Sequence, residues 1–195
     1  MLALAGPERA ERLLAPMRNF GRPLVDLVKN CPYTRLQSMV DATVPHGWHY
    51  YWKSAGLRTL GNDVIETMVD HAARISSPWS YAVMFHLGGA VAEVDSDATA
   101  YTRRDISHEL NINAVWLPHE PIGDTETAWA KTFFANLEPS HAGAYLNFLD
   151  RDDDARTPEA FDSAAYARLL ELQGRFDPDR VLQPHPKLAP IRGRA

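Results

Sequence analysis

The chain has 195 residues, of which 45% are hydrophobic and 23% charged, a balance typical of a folded globular chain. Its formal net charge of -5 argues against a nucleic-acid or anionic-membrane partner, because affinity for polyanions depends on clustered Lys and Arg. The single cysteine, Cys31, excludes an intrachain disulfide. Residues 1–6 are apolar but are followed at once by charged residues, so we expect neither a signal peptide nor a spanning helix. We therefore expect a cytoplasmic protein.

The first third of the chain predicts helices followed by one strand. Leu13 and Met17 belong to an apolar stripe at helical spacing, which predicts a helix over residues 7–20. A second, short helix is expected within residues 33–40. The aromatic run 49–54 is typical of a strand.

The middle of the chain predicts a helix and then two strands. Asn62 is expected to cap a helix over residues 64–74. The apolar run 79–87 predicts a strand that ends at a glycine pair, Gly88 and Gly89, and a further strand is expected to continue to Val94.

An alternating strand is predicted over residues 110–116, which places Asn111 and Asn113 on one face. A helix over 125–137 and a strand over 144–149 follow, and alternation along this strand places Tyr145 and Asn147 on one face. Strands that alternate with helices, without a dinucleotide-binding fingerprint, favour an α+β fold: a mainly antiparallel sheet with helices packed on one face.

The last part of the chain predicts one helix and an extended tail. Thr157 is expected to cap this helix, with Pro158 at its first position and Gly174 at its end. The proline-rich tail, residues 176–195, is expected to be extended.

Several catalytic motifs are incomplete. His108 and Glu109 begin like a zinc-protease helix, but Ile112 stands where the second histidine is needed. Trp52 stands where a nucleophile elbow around Ser54 requires its first glycine. The sequence therefore predicts neither a serine hydrolase nor a metal site.

Several motifs occur in the order found in one flavoprotein family. They are Pro32-Tyr33-Thr34 with Leu36-Gln37-Ser38-Met39, Tyr50-Tyr51-Trp52-Lys53-Ser54, His86-Leu87-Gly88-Gly89-Ala90-Val91, Asp97-Ala98-Thr99-Ala100-Tyr101 with Arg104-Asp105, Leu110-Asn111-Ile112 with Trp116, Tyr145-Leu146-Asn147-Phe148-Leu149, and Phe176-Asp177-Pro178. Together they resemble the C-terminal half of a berberine-bridge-type FAD-linked oxidoreductase. This resemblance implies a partial substrate-binding α+β domain over residues 1–150 and a berberine-bridge-like C-terminal helix and tail over residues 151–195.

The resemblance also implies the cofactor and the partners. In that family a separate N-terminal domain holds FAD, and no counterpart of this domain is expected within the chain. FAD is therefore the implied cofactor, but we do not expect the chain to retain it alone. The implied partners are a small-molecule substrate and a flavin-binding domain supplied in trans.

The resemblance assigns roles to five residues. Tyr145 corresponds to a catalytic tyrosine and Asn111 and Asn113 to polar active-site residues, while Asn147 and His185 are implied to contact the cofactor. In the family mechanism the tyrosine accepts a substrate proton, hydride passes to flavin N5, and O2 reoxidises the flavin.

A phenol at its ordinary pKa near ~10 is mostly neutral at pH 7, so this role requires a neighbour that lowers the pKa of Tyr145. Lys53 and Arg104 are the candidates by charge. Phe85 stands near where some relatives place a polar residue that assists the base.

Two other functions stay open from the residues alone. The first is a non-catalytic α+β binding or dimerisation module, in which the polar sheet face is exposed to solvent or seals a homodimer. The second is a cofactor-free enzyme that acts through Tyr145 and a histidine. Large apolar side chains on the predicted strands also favour a homodimer, because monomers rarely expose extended apolar patches.

Overall fold

The computed structural model describes residues 6–179 and 181, and the chain forms two compact units, Met1–His46 and Gly47–Ala195. In the first unit, helix α1 spans Pro7–Arg18 and helix α2 spans Tyr33–Gln37. A 3₁₀ turn over Asp41–Thr43 follows. The two helices predicted in this part of the chain are confirmed.

The second unit is built around a four-stranded antiparallel sheet. Its elements are, in chain order, β1 (His49–Leu57), α3 (Asn62–Ala72), β2 (Tyr81–His86), α4 (Ala90–Glu93), β3 (His108–Trp116), α5 (Gly123–Asn136), β4 (His141–Gly143) and α6 (Ser163–Phe176). The spatial order is β2-β3-β1-β4, so β3 and β1 are the central strands.

Helices α3 and α5 pack on one face of this sheet. Val64 of α3, together with Trp129 and Phe133 of α5, joins a buried cluster with side chains of the central strands. The strand members of this cluster are Ala55, Leu57, Leu110, Ile112 and Ala114. The predicted α+β fold, with a mainly antiparallel sheet and helices on one face, is therefore confirmed.

The strand predicted to continue to Val94 is wrong. Gly89 has a φ of 57°, in the left-handed region that favours glycine, and this turns the chain out of the extended conformation. The amides of Ala92 and Glu93 then donate to the Gly89 carbonyl, which closes the short helix α4.

The strand predicted over residues 144–149 is also wrong. Extended pairing is confined to β4, where Gly143 faces Gly56 of β1 across an irregular register. Beyond β4 the chain forms a 3₁₀ helix over Leu146–Phe148, and Tyr145 is the residue immediately before it. Tyr145 and Asn147 therefore do not share a strand face, and that prediction is wrong.

The last predicted helix begins later than expected. Residues Arg151–Ala160 form 3₁₀ structure that includes Thr157 and Pro158. Helix α6 is capped instead by Asp162, whose carboxylate accepts the amide of Ala165 at 2.8 Å. It also passes through Gly174, the predicted end.

No helix among the described residues is long and apolar enough to cross a membrane. The boundary predicted at residue 150 stays a prediction.

Candidate active site on the polar face of the sheet

Three polar side chains form a row on the central strand β3. Glu109, Asn111 and Asn113 alternate along the strand and lie on the face opposite helices α3 and α5, which we call the polar face. Their exposed fractions are only 4%, 6% and 9%. A buried row of this kind requires hydrogen-bond partners, because an unpaired polar group costs free energy when it leaves water.

Part of this requirement is met within the row. The Asn113 Nδ2 group donates to Asn111 Oδ1 at 2.6 Å. The two asparagines predicted from strand alternation are therefore in direct contact, and this contact orients both amides.

The neighbouring strands complete the polar face. On β1, Trp52 lies opposite Asn113 and Ser54 lies opposite Asn111. On β2, Phe85 lies opposite Glu109, and the other two members of this face are Tyr81 and Val83. The face therefore combines a central polar row with aromatic and aliphatic side chains at its edge.

The segment that follows β4 brings Tyr145 to this face. The Tyr145 ring lies 5.0 Å from the Phe148 ring, which in turn lies 5.7 Å from the Phe85 ring on β2. The Tyr101 ring lies 6.4 Å from that of Tyr145. The Tyr145 hydroxyl accepts a hydrogen bond from Asn147 Nδ2 at 2.8 Å.

Glu109 is the titratable group at the centre of the site. Burial raises the pKa of its carboxyl to about 7. The same pKa is lowered by Ser54, by the backbone amide of Tyr145 and by the guanidinium groups of Arg156 and Arg103. These effects together are smaller than the effect of burial. Glu109 can therefore gain or lose a proton near neutral pH, a property common to groups in functional sites.

A side-chain donor of the polar face fits the polar edge of a flavin. Within the described part of the chain, Asn111 Nδ2 is a buried atom with no hydrogen-bond partner, and so is Trp52 Nε1. N–H donors of this kind suit the carbonyl and ring-nitrogen acceptors of an isoalloxazine, and each buried donor left unpaired costs about 1–3 kcal/mol.

The structure brings together four of the five residues singled out from the sequence, in two hydrogen-bonded pairs. Asn111 pairs with Asn113, and Tyr145 pairs with Asn147. The second pair lies on a 3₁₀ turn instead of a strand, but its contacts still place it beside the polar face. His185 lies outside the described residues.

Lys53 is the wrong candidate for lowering the pKa of Tyr145. Alternation along β1 places Lys53 on the helix-covered face, where Nζ contacts Asp152 at 2.6 Å and Asp153 at 2.7 Å. Arg104 lies nearer to the site, because its guanidinium is 4.7 Å from the centre of the Tyr101 ring.

Glu109 is the residue that sequence reasoning missed. In the sequence it stands out only as part of an incomplete zinc-protease motif, although alternation along β3 places it on the same face as Asn111 and Asn113. That alternation was the available signal. Its burial depends on residues distant in sequence.

Comparison with known proteins finds similarity to FAD-linked oxidoreductases. No protein-family model matches the chain. An FAD-linked oxidoreductase of Dictyostelium discoideum is 25% identical over 187 residues, which is 95% of this chain and 40% of that protein. Berberine bridge enzyme-like 16 of Arabidopsis thaliana is 27% identical over 161 residues, which is 66% of this chain and 28% of that protein.

The structure of aclacinomycin oxidoreductase superposes with a TM-score of 0.70 at 22% identity, over 90% of this chain and 40% of that one. The chain is similar in sequence and fold to berberine-bridge-type FAD-linked oxidoreductases. The predicted resemblance to berberine-bridge-type enzymes is confirmed. The chain spans 40% or less of the length of each of these three relatives.

Proposed function

We propose that the chain is the substrate-domain portion of an FAD-dependent oxidoreductase that oxidises a small-molecule alcohol or C–H group. A flavin-binding domain would hold FAD, and the bound flavin would supply the hydride acceptor at N5 and pass the electrons on to O2. The observation that carries this proposal is the buried row of Glu109, Asn111 and Asn113 beside the hydrogen-bonded pair of Tyr145 and Asn147.

The residues of the polar face have separate roles in the proposed reaction. Tyr145 accepts the substrate proton, and the Asn147 amide fixes its hydroxyl through the 2.8 Å hydrogen bond. Asn111, oriented by Asn113, presents its Nδ2 donor to a carbonyl or hydroxyl oxygen. A flavin contact by Asn147 and one by His185 complete the proposed site.

A chimera tests this proposal. The chain would replace the matched segment of the Dictyostelium discoideum relative, and reduction of its flavin would be followed anaerobically with a panel of sugar, alkaloid and polyketide alcohols. We expect at least one alcohol to bleach the flavin. Tyr145→Phe should then slow bleaching by roughly 10²- to 10⁴-fold, as for loss of a general base.

Tyr33→Phe is the matched control, because Tyr33 is exposed and lies in the first compact unit. Its rate should equal that of the unsubstituted chimera. An equal rate for Tyr145→Phe would remove Tyr145 from the mechanism. A chimera that holds FAD but is bleached by no alcohol in the panel would contradict the proposed substrate class.

The exposed edge of the polar face favours a second candidate, a non-catalytic dimerisation module. Phe85 is 43% exposed, although it lies opposite the buried Glu109 in the strand register and its ring lies 5.7 Å from that of Phe148. Sedimentation equilibrium distinguishes the candidates: a homodimer that Phe85→Glu converts to monomer, without any flavin reduction in the chimera, would favour the module.

A further inference from the structure

We propose that His86 and His108 form a two-histidine binding site for a late first-row divalent metal ion such as zinc(II). The two residues lie directly opposite each other, His86 at the last position of β2 and His108 at the first position of β3. Alternation along β3 places His108 on the face opposite Glu109, so this site is separate from the candidate active site. It does not depend on the proposed function.

The two imidazole rings lie at the separation that a shared metal ion requires. Residues directly opposite on antiparallel strands have Cβ atoms about 4.5–5.5 Å apart, so their side chains can meet. The ring centroids of His86 and His108 are 5.1 Å apart, with an angle of 61° between the ring planes. Zinc–nitrogen bonds of about 2.0–2.1 Å and a tetrahedral angle at the metal place two ligating ring centroids about 5 Å apart. The spacing of the two rings therefore suits one ion bound by both.

Ser107 determines which ring nitrogen His108 offers to a metal. The Ser107 hydroxyl donates its one hydrogen to the backbone oxygen of Arg58 at 2.6 Å. Towards His108 Nδ1, which lies 2.8 Å away, the same hydroxyl oxygen must then accept, so Nδ1 carries the ring proton. The lone pair of the neutral ring is therefore on Nε2. Metal-binding histidines typically have such a hydrogen bond at their other ring nitrogen, because it fixes the tautomer and the orientation of the ring.

The glycine after β2 leaves room for the His86 ring. A Cβ atom on Gly88 would lie 2.7 Å from His86 Cε1 and 3.2 Å from Nε2, so the ring occupies space that a side chain at residue 88 would take. Directly beyond the pair, the amide of Leu87 donates to the carbonyl of Ser107 at 2.8 Å, which holds the two strand ends together. His86 is exposed and His108 is half-buried, so an ion can reach the pair from solvent.

The donor set determines the kind of metal ion and how firmly it is held. Imidazole nitrogen suits zinc, copper and nickel, and among these copper(II) binds most tightly to a given site. Among the described residues, no group of three or more His, Cys, Asp or Glu side chains could hold a metal ion, so water completes the coordination. Two protein ligands give an exchangeable ion, whereas a structural zinc site has four. Local spacing does not reveal the pair, because its members lie on different strands.

The test titrates the full ¹⁵N-labelled chain with zinc(II) and follows the imidazole resonances of the histidines by NMR. We expect the resonances of His86 and His108 to shift together, with one affinity, and to return when EDTA is added. His86→Gln should abolish the shift at His108, and His108→Gln should abolish the shift at His86, because the ion needs both rings. Ser107→Ala should weaken zinc binding about 10- to 100-fold, as for loss of a group that orients a ligating histidine.

His119→Gln is the matched control, because His119 is an exposed histidine outside the pair. It should leave the zinc affinity of His86 and His108 unchanged. Backbone amide spectra recorded without zinc should show that each variant keeps the fold of the unsubstituted chain. A shift at His108 that persists with unchanged affinity in His86→Gln would overturn the inference, because the two rings would then bind zinc independently. So would an unsubstituted chain in which millimolar zinc shifts neither ring.

Discussion

Replacing Glu109 with glutamine should make the folded chain less sensitive to pH. The folded carboxyl has a pKa of about 7 against its ordinary value of 4.5, because burial disfavours the charged form. The stability linked to the protonated carboxyl is therefore fully present below the ordinary pKa of 4.5. It is lost as the pH rises through the folded pKa of about 7. At 1.36 kcal/mol per pH unit the loss amounts to about 3 kcal/mol.

Urea unfolding of both proteins between about pH 4 and pH 8 measures this effect. The free energy of unfolding of Glu109→Gln, minus that of the unsubstituted chain, should rise by about 3 kcal/mol across the window. All other titrating groups are common to both proteins, so their contributions largely cancel in the difference.

Glu138→Gln provides the reference, because it removes an exposed carboxyl by the same substitution and leaves Glu109 in place. The reasoning is refuted if the Glu109→Gln difference stays constant within about 0.5 kcal/mol over the same window. That result would mean that the buried carboxyl titrates equally in the folded and unfolded chains.

Two further stability predictions follow from the contacts around the sheet. Gly56→Ala should destabilise the chain by about 1–3 kcal/mol through overpacking, because the added Cβ would lie 3.0 Å from the backbone oxygen of Gly143. Urea unfolding checks this, and an unchanged midpoint would contradict it by showing that β4 moves to accommodate the added methyl group. Lys53→Met should cost about 3–5 kcal/mol by leaving the buried Asp153 carboxylate without its closest cation. The double variant Lys53→Met/Asp153→Leu should recover most of the lost stability, because it leaves no unpaired carboxylate at residue 153. A double variant as unstable as Lys53→Met would disprove a charge penalty.

The fold was largely predictable because its main elements carry strong local patterns. Alternation over β3 and the apolar stripes of α3 and α5 require no knowledge of distant contacts. The elements that were predicted wrongly lie where local patterns compete. The Thr157-Pro158 pair reads as a helix start, but the actual cap is Asp162.

The site was predictable only in part, for a related reason. Alternation placed Asn111 and Asn113 on one face, and the structure confirms it through their hydrogen bond. The same rule placed Tyr145 and Asn147 together on a strand that does not form. They still meet at the start of a 3₁₀ turn, where the Asn147 side chain donates to the Tyr145 hydroxyl.

The sequence by itself determined the α+β class, the shared face of Asn111 and Asn113 on β3 and the resemblance to berberine-bridge-type oxidoreductases. Only the tertiary structure decided which groups are buried and what they meet. Lys53 contacts Asp153, 100 residues later in the chain, and so cannot serve Tyr145. Glu109 acquires its raised pKa from burial between strands distant in sequence. Alternation is a property of neighbouring residues, whereas desolvation and charge pairing depend on which segments the fold brings together.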